Sequence, residues 1–541
     1  MSRPNPLILF TVLFGVFVAY SWLSLRAGAL LISAHEGDTF HLLDILLRMQ
    51  EGQVPHIDFV TPIGILAFLP IHVFLDLGYG AGTSILYAQI LVAGALLPLV
   101  FYTAWSRLSP KAGYLFGAFM MVLILALSFG GDAEDLSISM HYNRWAWAIG
   151  SLLILLAFAP KRIHTSQILD GIVVGLSFAI LALLKVTFFV GLLPGVAGIL
   201  LLRRQIPTLV AAAIVGVGFA LVATVMGGVQ FWFGYFGDLL TVSSTDVRPH
   251  PSASLSELIG SPKTAAFSIL GFTFYWMVSR AGLRAESFGL LLLIPGCFFI
   301  TYQNFGNDPK WVVPLAALLV AYSSAFQENE AFTSEYRRLM ISLPAAAILL
   351  FLPSILTVSL STVRHAFQPV DEYSALLPTQ TAHQDIATST KRGTTLTARV
   401  ELDVLGSPWL PYREAADRPD PKVLNGVTFP ECQLLAGMLS WFDALTNELG
   451  ELGTPEGSQL FVADLLVAFW LFGPYEPLQG GAPWYYGNLS GLENADYLVV
   501  PKCGFVPEAR NIIIDELNAS DIPLSTVADT ELLALFAVGQ P

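Results

Sequence analysis

Between residues 7 and 360 the chain is a succession of apolar windows, near 7–25, 84–104, 112–130, 145–160, 168–184, 186–202, 207–227, 263–280, 287–302, 311–326 and 340–360. A membrane-crossing helix needs about 20 mostly apolar residues. In hydrocarbon only helices and closed barrels keep every backbone N–H and C=O bonded. The windows therefore predict an α-helical polytopic membrane protein of about eleven spans. Composition agrees: 13% of residues are charged and 54% hydrophobic, about half the charge of a soluble globular chain. The formal charge of −14 is accompanied by no basic patch, so nucleic acid is not an expected partner. Further spans and no small-residue cleavage site follow the first window, which reads as a retained helix and not a signal peptide.

A shorter apolar piece, "IGILAFLPIHVFLDLG" at 63–78, contains Pro70 and His72. If it lies at the surface, the basic pairs Arg107/Lys111, Lys161/Arg162, Arg203/Arg204, Arg280/Arg284 and Arg337/Arg338 all fall on the side of Arg3. If it crossed, all of them would lie outside. The positive-inside rule favours the first arrangement. It predicts a cytoplasmic N-terminus and an external C-terminal tail. From about residue 365 no window is long and apolar enough to span. Residues 1–364 are thus expected to form the membrane domain and 365–541 a soluble α/β domain, enough for one small fold. "TTLTARVELDVLG", "SQLFVADLLVAFWLFG" and "NADYLVVPKCG" read as short strands, and "FPECQLLAGMLSWFDALTNELGEL" as an amphipathic helix. Cys432 and Cys503 can pair in an oxidising compartment or stay as two buried thiols.

Chemistry gathers in the loops expected outside. Residues 34–64, "AHEGDTFHLLDILLRMQEGQVPHIDFVTPIG", place Asp38, His41, Asp44 and Arg48 at steps of three to four with apolar residues on the other faces. This predicts an interface helix. Glu36 and Asp38 precede it, where acids also suit a helix N-terminus. Lys185 stands between two apolar runs with almost no loop; such a charge is a functional candidate, and snorkelling to the interface is its structural alternative. "GGDAEDLSISMHYNRWAWAIG" at 130–150 brings acids and then His141, Tyr142, Asn143 and Arg144. "YQNFGNDPKW" at 302–311 adds Asn307, Asp308 and Lys310. The aromatic-rich "GPYEPLQGGAPWYYGNLSG" of the tail suits glycan stacking.

The order in the first loop is a span, two acids, an interface helix, a Gly-x-x-Pro turn, Pro-x-Gly ("TPIG") and a short apolar helix ending in "LGYG". It resembles the first external loop of the GT-C superfamily of membrane glycosyltransferases, in the branch of the protein mannosyltransferases and lipid A aminoarabinose transferases. The stretch 169–204, a glycine-rich span, a lysine and a span ending in arginines, resembles the same superfamily. The acids here are spaced, "HEGD", so either Glu36 or Asp38 is the counterpart of the family's pair. The resemblance implies transfer of a sugar from a polyprenyl-phosphate-linked donor to a glycan, lipid or protein acceptor, by inverting single displacement. Asp38 or Glu36 is then the base, and Lys185, Arg144 and Lys310 are cations for the donor phosphate. His35, Asp58, His141, Tyr142, Asn143, Asn307 and Asp308 are expected to contact substrate. A divalent metal is compatible with the superfamily, and no ligand spacing specifies one. A lipid-linked sugar flippase would show internal repeats and mid-membrane charges, whereas a polysaccharide polymerase would carry its chemistry in large later loops.

Overall fold

The computed structural model describes residues 3–131, 134–245, 247, 254–304, 309–328, 334–402, 406–412 and 421–539. The chain runs through α1 (Pro6–Leu25), the short strand β1 (Leu30–Ile32), α2 (Glu36–Gln50) and α3 (Leu69–Asp76). The helical body continues with α4 (Ala81–Arg107), α5 (Pro110–Leu125), α6 (His141–Phe158), α7 (Gln167–Leu184), α8 (Val186–Leu202) and α9 (Ile206–Ser244). It ends with α10 (Leu255–Gly260), α11 (Pro262–Arg280), α12 (Arg284–Gln303), α13 (Val312–Glu328) and α14 (Ser334–Ala366). Each apolar window of the sequence is therefore a helix. Among the described residues six are long and apolar enough to cross a membrane: α1, α4, α7, α9, α12 and the Ser342–Ala366 part of α14. Helices α5, α8 and the Val312–Ser323 part of α13 are shorter apolar ones. With eight residues, α3 is too short to span.

Local sequence explains the ends. Asn5 Oδ1 accepts from the N–H groups of Leu7 and Ile8, and Pro6 opens α1 where no intrahelical N–H is needed. Lys185, in extended conformation, is the single residue separating α7 from α8. Helix α6 lies at the centre, buried throughout except for Tyr142. Helix α9 instead leaves large apolar side chains such as Val225, Met226 and Phe233 uncovered, a surface suited to lipid and costly in water. Helix α4 starts against the tail, where Asp385 accepts from Gly82 and Thr83 N–H at 3.0 and 2.7 Å. At its far end Arg107 and Lys161 meet Asp170 at 2.9 and 2.6 Å. Arg203 meets Glu286 at 2.7 Å at the end of α8 remote from Lys185. The loops carrying Arg107, Lys161 and Arg203 thus lie at helix ends away from the tail.

The tail is α/β. β2 (Tyr373–Ala375) and β3 (Ile386–Ser389) form a sheet with β1 in the order β1-β3-β2, so the first loop contributes a parallel edge strand to the tail. After the short α15 (Thr390–Thr394), β4 (Thr397–Val400) pairs with β7 (Cys432–Ala436), and β5 (Lys422–Leu424) with β6 (Val427–Phe429). Helices α16 (Met438–Glu451) and α17 (Pro507–Ala519) accompany a sheet of β8 (Leu460–Val462), β9 (Tyr497–Pro501), β10 (Leu524–Asp529) and β11 (Leu533–Val538), ordered β10-β11-β9-β8. The expected helix over 429–452 begins only at Met438. Gly437, with φ +89°, ends β7 and caps α16, so its first part is strand. Cys432 and Cys503 form a disulfide across a sequence separation of 71, a closure worth about 4 kcal/mol in the chain-entropy picture.

One expectation is corrected. Helix α2 does not lie one-sided on an interface: every residue from Glu36 to Met49 except Asp38 is buried. Its apolar residues occupy all faces because the tail covers the side that a bilayer surface would leave open. Phe40 stacks edge-on against Phe442 at 5.1 Å. Asp44 pairs with Arg48 at 2.5 Å and accepts from Trp470 Nε1 at 2.8 Å, and Arg48 donates to the Leu478 carbonyl at 2.7 Å. Glu36, Asp44 and Arg48 of the helix are thus bonded into the tail.

Candidate active site

Two left-handed residues start the site. His35 (φ +62°) and Met140 (φ +49°) cap α2 and α6. Such φ values in non-glycine residues cost energy and persist where the surroundings enforce them. They bring the first turns of α2 and α6 face to face, so that the Ser139 hydroxyl donates to Asp38 Oδ2. Around them opens a cavity of about 430 Å³ whose wall includes Asp38, His41, His141, Tyr142, Lys185 and Trp484.

His141 donates from Nε2 to the Ala67 carbonyl at 2.9 Å, which leaves Nδ1 as an acceptor in the neutral ring. The Lys185 ammonium lies 5.3 Å from the Tyr142 ring centroid. Gly64 fixes the loop beneath the α7–α8 break: a Cβ there would stand 2.1 Å from the Leu183 carbonyl oxygen. The tail closes the other side, with His41 Nε2 3.0 Å from the Tyr486 hydroxyl and the His41 ring 4.4 Å from that of Trp484.

A second cavity, of about 280 Å³, is lined by His35, Glu36, Asp38, Arg392, β7 residues 434–436 and Trp484. Asp38 and Trp484 therefore border both. Glu36 differs from Asp38: it is buried, accepts from Arg392 Nε at 2.5 Å and from the Thr388 hydroxyl at 3.0 Å, and ties α2 to the tail.

The other sequence candidates are distributed as follows. Asn143, Arg144 and Lys310 line a small void of about 10 Å³ that shares Met140 with the larger cavity. Arg144 is buried there, donating to Gln89 Oε1 at 3.2 Å and to the Ser139 carbonyl at 3.4 Å, so it supports the serine that holds Asp38. Asp58 accepts from Val54 N–H at 2.7 Å and Gln479 Nε2 at 3.3 Å and borders neither cavity. Asn307 and Asp308 lie outside the described residues, as does Asp132. Sequence reasoning did not single out Ser139, or His41 and Tyr486 as a pair. Position 41 is one helical turn from Asp38, so its shared face was readable from the spacing.

Among the described residues no three His, Cys, Asp or Glu side chains are grouped so as to hold a metal ion. Glu36 is engaged by Arg392, and Asp38 meets a hydroxyl. Proton transfer and charge stabilisation are steps these described side chains can supply.

The wall of the second cavity depends on one buried acid. Asp464 accepts backbone N–H bonds from Phe505, Leu465 and Val506 at 2.5, 2.6 and 3.0 Å, and Phe505 and Leu465 line that cavity. Burial pushes its carboxyl up to about 6 against the pull of those donors. Because the folded value lies above the unfolded one, the contribution is fully present below about pH 4 and is lost as pH rises through 6. The tail's melting temperature is expected to carry a downward component between pH 4 and 6. It should vanish from the Asp464→Asn profile, which thermal melts across that range will read.

The fold and its uncovered apolar surface define a polytopic helical membrane protein with a folded tail. No family model and no curated protein matches the chain. Among solved structures it is similar to the oligosaccharyltransferase AglB from Archaeoglobus fulgidus, solved with an inhibitory peptide and a dolichol-phosphate. That match has 11% identity and a TM-score of 0.41 over 90% of this chain and 69% of that one. It is also similar to ArnT from Cupriavidus metallidurans in the apo state, at 11% identity and a TM-score of 0.38 over 97% of each chain.

Proposed function

We propose that the chain is a membrane glycosyltransferase that takes a sugar from a polyprenyl-phosphate-linked donor in the larger cavity and passes it to an acceptor in the smaller one. The observation that carries this reading is that one carboxylate, Asp38, borders both. A transferase needs a base at the junction of its two substrates, with a cation on the donor side. Lys185 is that cation.

In the proposed reaction the acceptor hydroxyl gives its proton to Asp38 as its oxygen attacks the anomeric carbon from the face opposite the phosphate. The bond from that carbon to the phosphate oxygen breaks, and its electron pair leaves with the lipid phosphate, whose growing charge the Lys185 ammonium offsets. Ser139 orients Asp38, the Nδ1 acceptor of His141 takes a sugar hydroxyl, and Trp484 offers a ring face to the sugar as it crosses. Arg144 and Lys310 act behind Met140, adding positive potential to the phosphate side. The tail lies on the outer, periplasmic face of the inner membrane, and the N-terminus is cytoplasmic. The position of the loops carrying Arg107, Lys161 and Arg203 away from the tail and the disulfide within it support this orientation.

The test is release of labelled sugar from a panel of polyprenyl-phosphate donors by membranes containing the full chain, with acceptors varied across glycan, lipid and peptide. Turnover of at least one donor, with the sugar recovered on an acceptor, supports the reading. Movement of intact donor across vesicles with no bond cleavage overturns it in favour of a flippase.

A further inference from the structure

Helix α9 turns at Gly228, where φ is +72° and ψ 177°, a backbone region essentially confined to glycine. The segment beyond it runs back over the first loop. Its contact with that loop is backbone to backbone: a Cβ on Gly234 would stand 1.7 Å from the His56 carbonyl oxygen. At that point His56, itself at φ +69°, sends its ring under the helix between Phe231 and Tyr235, at 5.4 and 4.7 Å. Nδ1 donates to Asp238 Oδ2 at 2.7 Å, and the Thr61 N–H donates to the same oxygen at 3.1 Å. Both side chains are buried. His56 Nε2 has no hydrogen-bond partner among the described residues, which identifies Nδ1 as the anchoring atom. Tyr235 adds a third tie, donating from its hydroxyl to the Ala182 carbonyl at 2.7 Å, just ahead of Lys185.

The next turn of the same segment carries Leu239, Val242 and Ser243, which form a wall of the larger cavity. A glycine hinge, a buried pair and a cavity wall therefore follow one another within a few turns of α9. Neither His56 nor Asp238 borders the cavity. We infer that His56 and Asp238 are positioning residues: they latch the outer part of α9 against the first loop and so set how tightly the larger cavity encloses a lipid phosphate. The lipid phosphate rests on the donor reading above, whereas the latch does not. Without the carboxylate, two buried N–H donors lose their acceptor together, and the side-chain ties left across the turn among the described residues are Tyr235 to the Ala182 carbonyl and Trp232 Nε1 to Thr224 Oγ1 at 2.8 Å.

The test uses the full chain in nanodiscs with Val242→Cys as a reporter, labelled by a maleimide; the remaining cysteines are buried (Cys297) or disulfide-bonded. Adding Asp238→Ala is expected to raise the labelling rate about tenfold, the scale of a lost charge-assisted bond. The milder Asp238→Asn keeps one acceptor oxygen and should fall between, which secures the result if the alanine variant folds poorly. His56→Asn places an amide donor near the position of Nδ1 and tolerates positive φ, so it should label as slowly as the parent. Farnesyl phosphate should protect the reporter, with about tenfold more needed after Asp238→Ala. Equal labelling of the parent, Asp238→Asn and Asp238→Ala overturns the latch, as does His56→Asn labelling as fast as Asp238→Ala. If Asp238 variants label faster but farnesyl phosphate never protects, the latch stands and the lipid-phosphate reading of the cavity falls.

Discussion

Replacing Asp38 with asparagine is expected to lower sugar transfer by about three orders of magnitude, the scale of a lost general base, with donor binding changed little. Asparagine is nearly isosteric, can still accept from the Ser139 hydroxyl and leaves both cavities their shape, so the loss should fall on kcat. Glu36→Gln is the internal control. Glu36 is bonded to Arg392 and Thr388 of the tail, so its loss should appear mainly as a lower melting temperature and a smaller drop in rate. Single-turnover release from a labelled polyprenyl-phosphate donor, with both variants at matched expression, separates the two. If Asp38→Asn keeps full activity while Glu36→Gln abolishes it at an unchanged melting temperature, the roles are reversed.

The sequence carried the helical body because that information is local. Twenty apolar residues have few structural options in a bilayer, and the windows and the helices coincide. It also brought Asp38, His141, Tyr142 and Lys185 onto the candidate list, and the structure gathers those four around one cavity. What it missed was the surroundings. The apolar residues of α2 fill too many faces for a helix resting on an interface, and the missing partner is a tail that begins more than three hundred residues later. Strand β1 is three residues long and exists because Ile386, Ala387 and Thr388 lie beside it, a pairing that no local pattern announces. Arg144 shows the same limit. One helical turn separates it from His141, yet it points to Gln89 and Ser139, and not into the larger cavity. Spacing gave its helix, and packing against α4 decided its direction.

Lys185 is the second position where a large effect is expected. Lys185→Met keeps the length and apolar stem of the side chain and removes the ammonium. A preorganised donor at a developing anion is worth about 10²–10³ in rate, and the loss should concentrate in kcat if the charge grows as the phosphate leaves. Lys185→Arg should retain part of the rate, because a cation remains beside the Tyr142 ring, although its planar fork differs from a point charge. Structural snorkelling makes a different prediction. A lysine that only anchors the α7–α8 break to the interface would lose stability in the methionine variant without a selective loss of chemistry. The break is held by backbone: Lys185 N–H donates to the Leu181 carbonyl at 2.9 Å and its own carbonyl accepts from Phe188 N–H at 3.0 Å. Neither bond involves the ammonium, so the fold should survive the substitution. Rates measured at saturating donor, with melting temperatures recorded on the same preparations, will distinguish the two. A methionine variant with native kcat removes Lys185 from the reaction and leaves the donor side of the cavity to Arg144 and Lys310.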